Sequence, residues 1–476
     1  MAELIPSPKA ILRGHKAQIH AATFVRHNER LATGDAEGWV VLWDLTIMRP
    51  RAVWRAHENA ILGIRGWGRD SIITYVFTSE DRLDLSSKLI AVSSHGRDHK
   101  LIVWRVREED EDRLSVALPL EETPTPRPQP WVLHLLEVNT MNFCSFAACL
   151  GDAAQGSLDS AASTAQVLIA VPNTLASEAI DIYTLPSQTR IHTIKTSQTN
   201  GMAMSLSLFH HDGCLALVAA FENGFVSVHR LDSDGSWTMT YRSKAHTQPI
   251  LSTDVHPSRE CFFTSAADAL IAKHPVPTSC QEVDVDAESN QRVVEIVEPN
   301  QSNTGKSLLS AALSAAGSAE TRARPKKLKE WEHPLKVVNT KHSGQQSLKV
   351  RSDGKLLATA GWDSKIRVYS TKTLKELAVL SWHKVGAYAV AFASVDEPST
   401  PLTTSHPTDF KQPVESDMGD TTDVTQEEGS TGSRQVRSLA KGAGMSVKDR
   451  RLQLAKTAHW IAAGAKDGKV SLWDIY

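Results

Sequence analysis

Histidines, hydroxyl residues, carboxylates and aromatic residues recur along this chain in a fixed order, and such side chains can perform acid–base catalysis. The spacing of the first and last members repeats: His246 and His274 are 28 positions apart, and His342 and Tyr369 are 27 apart. Each histidine opens one copy of a repeat, so we interpret these residues as groups that satisfy one another's hydrogen bonds inside the protein. The sequence therefore predicts buried polar networks rather than an active site.

Each predicted network has four positions: a histidine ahead of the first strand, a Ser or Thr in the second strand, an acid in the following turn, and an aromatic residue or histidine in the third strand. The predicted sets are His15, Thr33, Glu37 and Trp43; His57, Ser94, Asp98 and Trp104; His246, Thr264, Asp268 and His274; His342, Thr359, Asp363 and Tyr369; and His383, Asp467 and Trp473. The last set has Ala463 where a hydroxyl is expected. A further copy has Asn223 at the acid position and His229 at the Trp position.

The strands that hold these residues are visible as a repeated pattern. The stretch RLATGDAEGWVVLWD ends at Trp43-Asp44, and the closing residues IAAGAKDGKVSLWDIY repeat it. Each copy reads as a strand, a tight turn and a second strand, which is typical of one four-stranded blade of a WD-repeat β-propeller. The predicted fold is therefore all-β, a single propeller that includes residues 1–476.

Seven blades are predicted, with six and eight as alternatives. The predicted inner strands begin near Ile19, Ile61, Met141, Met202, Ile250, Gln346 and Ala387. The third blade is inferred only from the alternation in MNFCSFAAC, QVLIAVP, AIDIYTLP and RIHTIKT. The last blade lacks an outer strand after Asp474, and we expect residues 9–12 to supply it and close the ring.

Three segments do not read as blades, at about 107–130, 299–330 and 394–456. The first contains the acidic run Glu108 to Asp112 followed by prolines, and we expect all three to be flexible insertions that bury no core. Part of the third, 434–456, has a loosely helical pattern. The second ends in a basic cluster that could serve as a nuclear localisation signal or contact an anionic partner: Arg322, Arg324, Lys326, Lys327 and Lys329.

Other candidate motifs do not support chemistry. Gly305-Lys306-Ser307 ends like a phosphate-binding loop, but Asn300 stands where that loop needs its first glycine. Cys144 and Cys149 lie in a strand-like run with no second pair, so we expect buried thiols rather than zinc ligands. No cofactor is predicted. Trp67 and Trp362 lie near strand ends, where they could anchor a partner or pack between blades.

Composition narrows the class of protein further. The chain has 476 residues and a formal net charge of −2, so no overall field for nucleic acid is expected. Its five cysteines form no framework, which fits a reducing compartment. No signal peptide or long apolar run is visible in the sequence. We expect an intracellular, soluble protein without direct contacts to membrane or nucleic acid.

Several stretches resemble the fungal ASTRA-associated protein 1 family. They include PSPKAILRGHKAQIHAATF near the start, PWVLHLLEVNTMNFCSFA at 130–147, LKVVNTKHSGQQSLKVRSDGKLLATAGWDSKIRVYS at 335–370 and HWIAAGAKDGKVSLWDIY at the end. The resemblance extends over most of the predicted propeller. The PWVLHLLEVNTMNFC and GWDSKIRVYS contexts are more specific than the generic repeat signature.

The resemblance implies a non-enzymatic scaffold in the ASTRA assembly, a nuclear complex linked to chromatin remodelling. It implies three kinds of partner: Tel- and Tti-type adaptors, RuvB-like ATPases, and the PI3-kinase-related kinases that the adaptors help to mature. The expected location is the nucleus, with the cytoplasm as a second possibility. Two alternatives remain open: a substrate receptor of a ubiquitin ligase, and another signalling adaptor. An enzyme on a propeller scaffold is disfavoured, because the networks use the candidate acids and histidines.

Overall fold

The computed structural model describes residues 6–67, 89–121, 127–138, 144–151, 166–284, 326–395 and 446–475. These described residues form seven four-stranded antiparallel sheets and one two-stranded ladder, together with two helices and one 3₁₀ turn. Seven of these sheets pack side by side around a ring through apolar clusters, so the predicted all-β propeller is confirmed.

The first three blades follow one another along the chain. Strand β1 (Ala10–Arg13) comes before them in the chain and belongs to another blade. Their own strands are β2 (Ile19–Val25), β3 (Arg30–Asp35), β4 (Trp39–Asp44), β5 (Arg49–Arg55), β6 (Ile61–Trp67), β7 (Leu89–Gly96), β8 (Lys100–Arg107), β9 (Trp131–Glu137), β10 (Ala147–Leu150), β11 (Val167–Pro172), β12 (Ile180–Leu185) and β13 (Thr189–Ile194). Blade one is β2 to β5, blade two is β6 to β9, and blade three is β10 to β13. Blade three therefore exists where alternation alone predicted it, although its first strand begins at Ala147 and the predicted start at Met141 lies outside the described residues.

The remaining strands form blades four to seven. They are β14 (Ala203–His211), β15 (Cys214–Phe221), β16 (Phe225–Leu231), β17 (Trp237–Lys244), β18 (Ile250–Val255), β19 (Cys261–Ala266), β20 (Leu270–Pro275), β21 (Gln281–Asp284), β22 (Lys326–Lys329), β23 (Lys336–Asn339), β24 (Gln345–Val350), β25 (Leu356–Gly361), β26 (Lys365–Ser370), β27 (Glu376–Ser381), β28 (Ala387–Phe392), β29 (Trp460–Ala465) and β30 (Lys469–Asp474). Blade four is β14 to β17. Blade five is β18, β19, β20 and β23, and blade six is β24 to β27.

Blade seven joins the two ends of the described chain. Its strands lie in the order β1, β30, β29, β28, so the N-terminal strand is its outer strand. Ala10 pairs with Leu472 and Arg13 with Lys469 in antiparallel register. This pairing leaves no gap between the last blade and the first, because β28 of blade seven packs on β2 of blade one.

Strand alternation builds the contacts between blades. In β4, Val40 and Leu42 pack toward blade two, whereas Val41 and Trp43 pack toward blade seven. Every blade is wedged between two neighbours in this way, and seven apolar clusters each join one adjacent pair of blades. Both faces of each sheet are therefore buried, which explains strands that are apolar on both sides.

The propeller has two faces that differ in their connections. Within each blade, the links from first to second strand and from third to fourth strand lie at one face, which we call the insertion face. The second-to-third turns and the links between blades lie at the other, which we call the open face. Four internal segments of more than five residues lie outside the described residues. Each is inserted between strands whose link belongs to the insertion face: 68–88, 152–165, 285–325 and 396–445.

The expectation that 107–130 buries no core is wrong. Residues 108–111 form α1 (Glu108–Glu111), and Leu114 joins the apolar cluster between blades one and two. Glu111 is 1% exposed and lies in ion pairs with Arg26, Arg30 and Arg51. A carboxylate can be buried when several guanidinium groups surround it. The acidic run therefore supplies a buried negative charge to a cationic edge of blade one.

The same segment continues along the outer strand of blade one. The backbone N–H of Val53 in β5 donates to the carbonyl of Ser115 at 2.7 Å, and the N–H of Leu120 donates to the carbonyl of Gly14 at 3.2 Å. Arg127 lies over the Trp39 ring with its guanidinium carbon 4.5 Å from the ring centroid. The insertion therefore covers a sheet edge that would otherwise be open.

The end of the 394–456 segment also packs on the ring. It forms α2 (Val447–Thr457), with Ser446 as N-cap accepting from the Asp449 N–H. Ala455 is buried in the cluster between blades seven and one, and the Trp460 indole donates to its carbonyl at 3.2 Å. Flexibility was thus wrong for this part, whereas residues 396–445 lie outside the described residues. In the 299–330 segment, Lys326–Lys329 form β22, which pairs with β21.

Candidate functional site

Blade two assembles its predicted polar network in full. His57 Nδ1 lies 2.9 Å from Asp98 Oδ1, and His57 Nε2 lies 2.9 Å from Ser94 Oγ. The Trp104 indole N–H donates to the same hydroxyl at 2.8 Å. Burial acts to raise the pKa of Asp98, but the hydrogen bond and charge of His57 with two backbone N–H groups outweigh it and lower the pKa. The network is a structural clamp, because it links the segment that precedes the first strand of the blade to the second and third strands.

Blade five assembles the same network and extends it by one residue. His246 lies 3.1 Å from Asp268 and 2.7 Å from Thr264 Oγ1, which in turn lies 2.9 Å from His274 Nε2. His274 Nδ1 then meets the Tyr241 hydroxyl at 2.8 Å. A histidine can replace tryptophan here because Tyr241 satisfies its second nitrogen, which an indole does not have.

In blade one the predicted acid is wrong. His15 Nδ1 bonds Asp35 Oδ2 at 2.7 Å, and Nε2 bonds Thr33, which accepts from the Trp43 indole at 2.8 Å. Glu37 is exposed, and its backbone N–H donates to Asp35 Oδ1 at 2.9 Å. The carboxylate therefore comes from the end of strand β3, two residues earlier than in the other blades.

Blades four and seven carry the hydroxyl on the opposite strand. In blade seven Ala463 faces Ser471 across the β29–β30 ladder, and Ser471 Oγ lies 2.8 Å from His383 Nε2 and accepts from the Trp473 indole at 2.9 Å. Asp467 does not join this network as predicted, because Lys469 Nζ binds its carboxylate at 2.6 Å. His383 Nδ1 is left buried without a hydrogen-bond partner among the described residues.

Blade four repeats this exchange. Ala219 faces Ser227 across the β15–β16 ladder, and Ser227 Oγ lies 2.9 Å from His229 Nε2. Asn223 bonds the backbone carbonyl of Thr199 at 3.0 Å instead of a histidine. The hydroxyl thus belongs to a cross-strand pair rather than to one strand, since either member places its oxygen at the same point of the sheet.

The predicted network of blade six does not form. Arg367 occupies the cross-strand position opposite Thr359 and binds Asp363 Oδ2 at 2.6 Å. His342 is partly exposed, and its Nδ1 is 3.8 Å from the same carboxylate, beyond hydrogen-bond distance. The hydroxyls of Thr359 and Tyr369 remain buried, and no histidine of the described part of the chain bonds them. An ion pair has replaced the histidine-centred clamp in this blade.

In three blades, a glycine of the second-to-third turn lies against the backbone of the clamp histidine of the neighbouring blade. Gly38 (φ 85°), Gly224 (φ 78°) and Gly468 (φ 72°) adopt the left-handed conformation that favours glycine. A Cβ on Gly38 would lie 2.0 Å from the His57 carbonyl oxygen, and one on Gly468 would lie 2.4 Å from that of His15. The open face is therefore held by close backbone contacts between neighbouring blades.

The predicted partner-binding residues lie in different places. Trp362 is 47% exposed on the open face of blade six, where its indole N–H donates to Gln346 at 2.8 Å. Trp67 ends β6, and its side chain is outside the described part of the protein. Arg322 and Arg324 lie outside the described residues. Lys326, Lys327 and Lys329 belong to β22, and the structure describes only their backbone.

The described residues contain no group of three or more His, Cys, Asp and Glu residues that could hold a metal ion. None of the described helices has the length and apolar character needed to cross a membrane. The histidines of the assembled clamps are buried, at 4% exposure or less. Their imidazoles are therefore shielded from solvent, while Trp362 and its surroundings on the open face are accessible.

Comparisons with known proteins agree with this architecture. The family model "WD domain, G-beta repeat" matches residues 6–44, 334–370 and 434–474. The ASTRA-associated protein 1 of Pyricularia oryzae is 47% identical over 98% of this chain and 97% of its own length. That of Verticillium alfalfae is 46% identical over 99% of this chain and 93% of its own length, and that of Penicillium rubens is 40% identical over 99% and 97%. The chain belongs to the ASTRA-associated protein 1 family.

Proposed function

We propose that this protein is a non-enzymatic scaffold subunit of a nuclear ASTRA assembly, which takes part in chromatin remodelling and in the maturation of PI3-kinase-related kinases. Its proposed partners are Tel- and Tti-type adaptors and RuvB-like ATPases. The names of its relatives support membership of such an assembly. The propeller supports the scaffold role, because a rigid ring presents many surface loops to several partners at once.

One observation carries the non-enzymatic part of this proposal. The repeated histidines, hydroxyls and carboxylates are the side chains in this protein that most resemble catalytic groups, and blades one, two and five engage them in buried networks. A histidine whose two nitrogens are both bonded to protein groups has no nitrogen left for a substrate. The surface, rather than an internal site, is therefore the functional part of the molecule.

Affinity purification tests the proposal. The full-length chain, tagged and expressed at its native level, is recovered from nuclear extract, and its partners are quantified by mass spectrometry. We expect Tel- and Tti-type adaptors and RuvB-like ATPases in stable amounts. Recovery of a cullin-linked adaptor in their place would replace the proposal with the ubiquitin-ligase receptor. Trp67→Ala, Trp362→Ala and a charge-neutralised 322–329 then show whether those residues take part in the contact.

A further inference from the structure

We infer that the open face of blades six and seven, together with the opening of blade one, is a docking surface for an acidic segment of a partner protein. This inference rests on the proposed scaffold function and names the surface and the partner chemistry. We call this surface the lysine arc, defined by Lys16, Lys341, Lys384 and Lys466 with Trp362. The partner is an extended stretch of Asp and Glu side chains with an apolar or aromatic anchor.

The open face of blades six and seven is formed by short described connections. Residues 68–88, 285–325 and 396–445, which lie outside the described residues, are inserted between strands whose link belongs to the insertion face. The open face of blades six and seven has tight turns instead, such as the one from Gly361 to Lys365. A partner approaching this face meets the ends of the strands directly. Rigid, preformed surfaces lose little conformational entropy on binding.

The lysine arc carries positive charge that no acid of the described residues pairs with directly. Lys16, Lys341, Lys384 and Lys466 are exposed, and none forms an ion pair with another described residue. Two acids of this region are already engaged, since Asp363 binds Arg367 at 2.6 Å and Asp467 binds Lys469 at 2.6 Å, whereas Glu37 in the second-to-third turn of blade one is exposed. The four lysines outnumber this acid and leave an excess of positive charge, although the whole chain carries a formal −2. Such a local field attracts a segment of opposite charge.

An aromatic side chain, that of Trp362, lies inside the arc. The Trp362 ring packs on Gly344, where an added Cβ would lie 2.2 Å from Trp362 Cε3. Gly386 approaches the Trp362 backbone and the Tyr388 side chain, because a Cβ there would be 3.2 Å from the Trp362 carbonyl oxygen and 3.3 Å from the Tyr388 ring. Tyr388 in turn meets His20 edge-on at 6.1 Å. Trp362 is thus the exposed aromatic residue of the arc, whereas Tyr388 and His20 are only partly exposed. Exposed Trp side chains are favoured binding anchors.

Charge reversal on matched faces tests the arc. The test variant carries Lys16→Glu, Lys384→Glu and Lys466→Glu. Its control carries Lys355→Glu, Lys372→Glu and Lys375→Glu, which are exposed lysines on the insertion face of blade six. Both variants have the same net charge, so a nonspecific charge effect would change both alike. We expect nuclease-treated purifications of the test variant to lose a protein partner by about tenfold or more, while the control retains it.

The outcomes separate the two proposals. Equal recovery with both variants would refute the arc and leave the scaffold function standing, whereas no partner with the wild type would refute both. Partners that the test variant loses only in parallel purifications without nuclease would assign the arc to nucleic acid instead. Carbodiimide cross-linking of the wild-type assembly gives an independent readout, since it joins lysines to carboxylates in direct contact. We expect products between Lys384 or Lys466 and partner Asp or Glu residues, and products confined to Lys355, Lys372 and Lys375 would contradict the inference.

Discussion

Ala463 and Ser471 face each other across two strands of blade seven, and the hydroxyl of this pair binds His383 and Trp473. In blade two the corresponding pair is Ser94 and Ile102, with the hydroxyl on the other strand. The clamp therefore requires one hydroxyl per cross-strand pair, and the strand that carries it can change.

This relationship predicts a rescue. Ser471→Ala should leave the buried nitrogens of His383 and Trp473 without a partner and lower the free energy of unfolding by about 1–3 kcal/mol. Adding Ala463→Ser to that variant should recover at least half of the loss, because the hydroxyl returns to the same point of the sheet. Urea denaturation of the two variants measures this, and a double variant less stable than Ser471→Ala would contradict the exchange.

The acid of blade one gives a second prediction. Asp35→Ala removes the partner of His15 Nδ1 and two backbone N–H contacts, so we expect a loss of about 2–4 kcal/mol. Glu37→Ala, two residues away, removes only an exposed side chain and should change stability by less than about 0.5 kcal/mol. Thermal unfolding compares the pair. Equal melting temperatures would restore the sequence-based assignment of Glu37.

The buried carboxylate of α1 gives a third prediction. Glu111→Gln leaves Arg26, Arg30 and Arg51 without their shared charge, and we expect a loss of about 3–5 kcal/mol. Glu109→Gln on the same helix is the control. Its side chain is 62% exposed and, among the described residues, forms an ion pair with Arg107 alone, so the loss should stay below about 0.5 kcal/mol. Chemical denaturation midpoints that agree for the two variants would show that the segment does not latch blade one.

Lowering the pH should reduce the free energy of unfolding, because two buried histidines stay neutral in the folded protein. Burial lowers the pKa of His229 to about 4 and, with the charge of His246, that of His274 to about 3. Unfolded histidine titrates near 6.5, so below that pH the unfolded chain binds more protons and the free energy of unfolding falls. Between pH 6.5 and 4, His229→Gln should reduce this slope by up to about 1.4 kcal/mol per pH unit. An unchanged slope would mean that His229 is protonated in the folded protein.

The repeat made the propeller predictable, because its strands, turns and networks recur along the chain. Blade three was predictable without a network, since the alternation of apolar residues survives in Val167–Pro172 and Ile180–Leu185. The networks of blades two and five followed from residue type and spacing alone. Their members lie at fixed strand positions, so sequence distance maps directly onto the sheet.

The remaining contacts could not be predicted, because residues that are distant in the sequence come together only in the folded protein. Glu111 read as part of a solvated acidic run, and only the fold brings Arg26 and Arg51 around it. In blade one, spacing from Thr33 favours Glu37 over Asp35. In blade six, His342 was assigned from spacing, although Arg367 opposite Thr359 would have signalled that a charged residue occupies the hydroxyl position. A search of cross-strand pairs, rather than single strands, would have identified Ser227 and Ser471.

The most direct test of the scaffold account is rapid depletion of the protein followed by quantitative proteomics over several hours. If the chain helps adaptors mature PI3-kinase-related kinases, those kinases should decline together while their transcripts stay constant. The wild-type chain and the insertion-face control should restore them, and the variant with reversed lysine-arc charges should not. Constant kinase levels, with accumulation of unrelated proteins of the kind that a ubiquitin-ligase receptor would remove, would contradict the account.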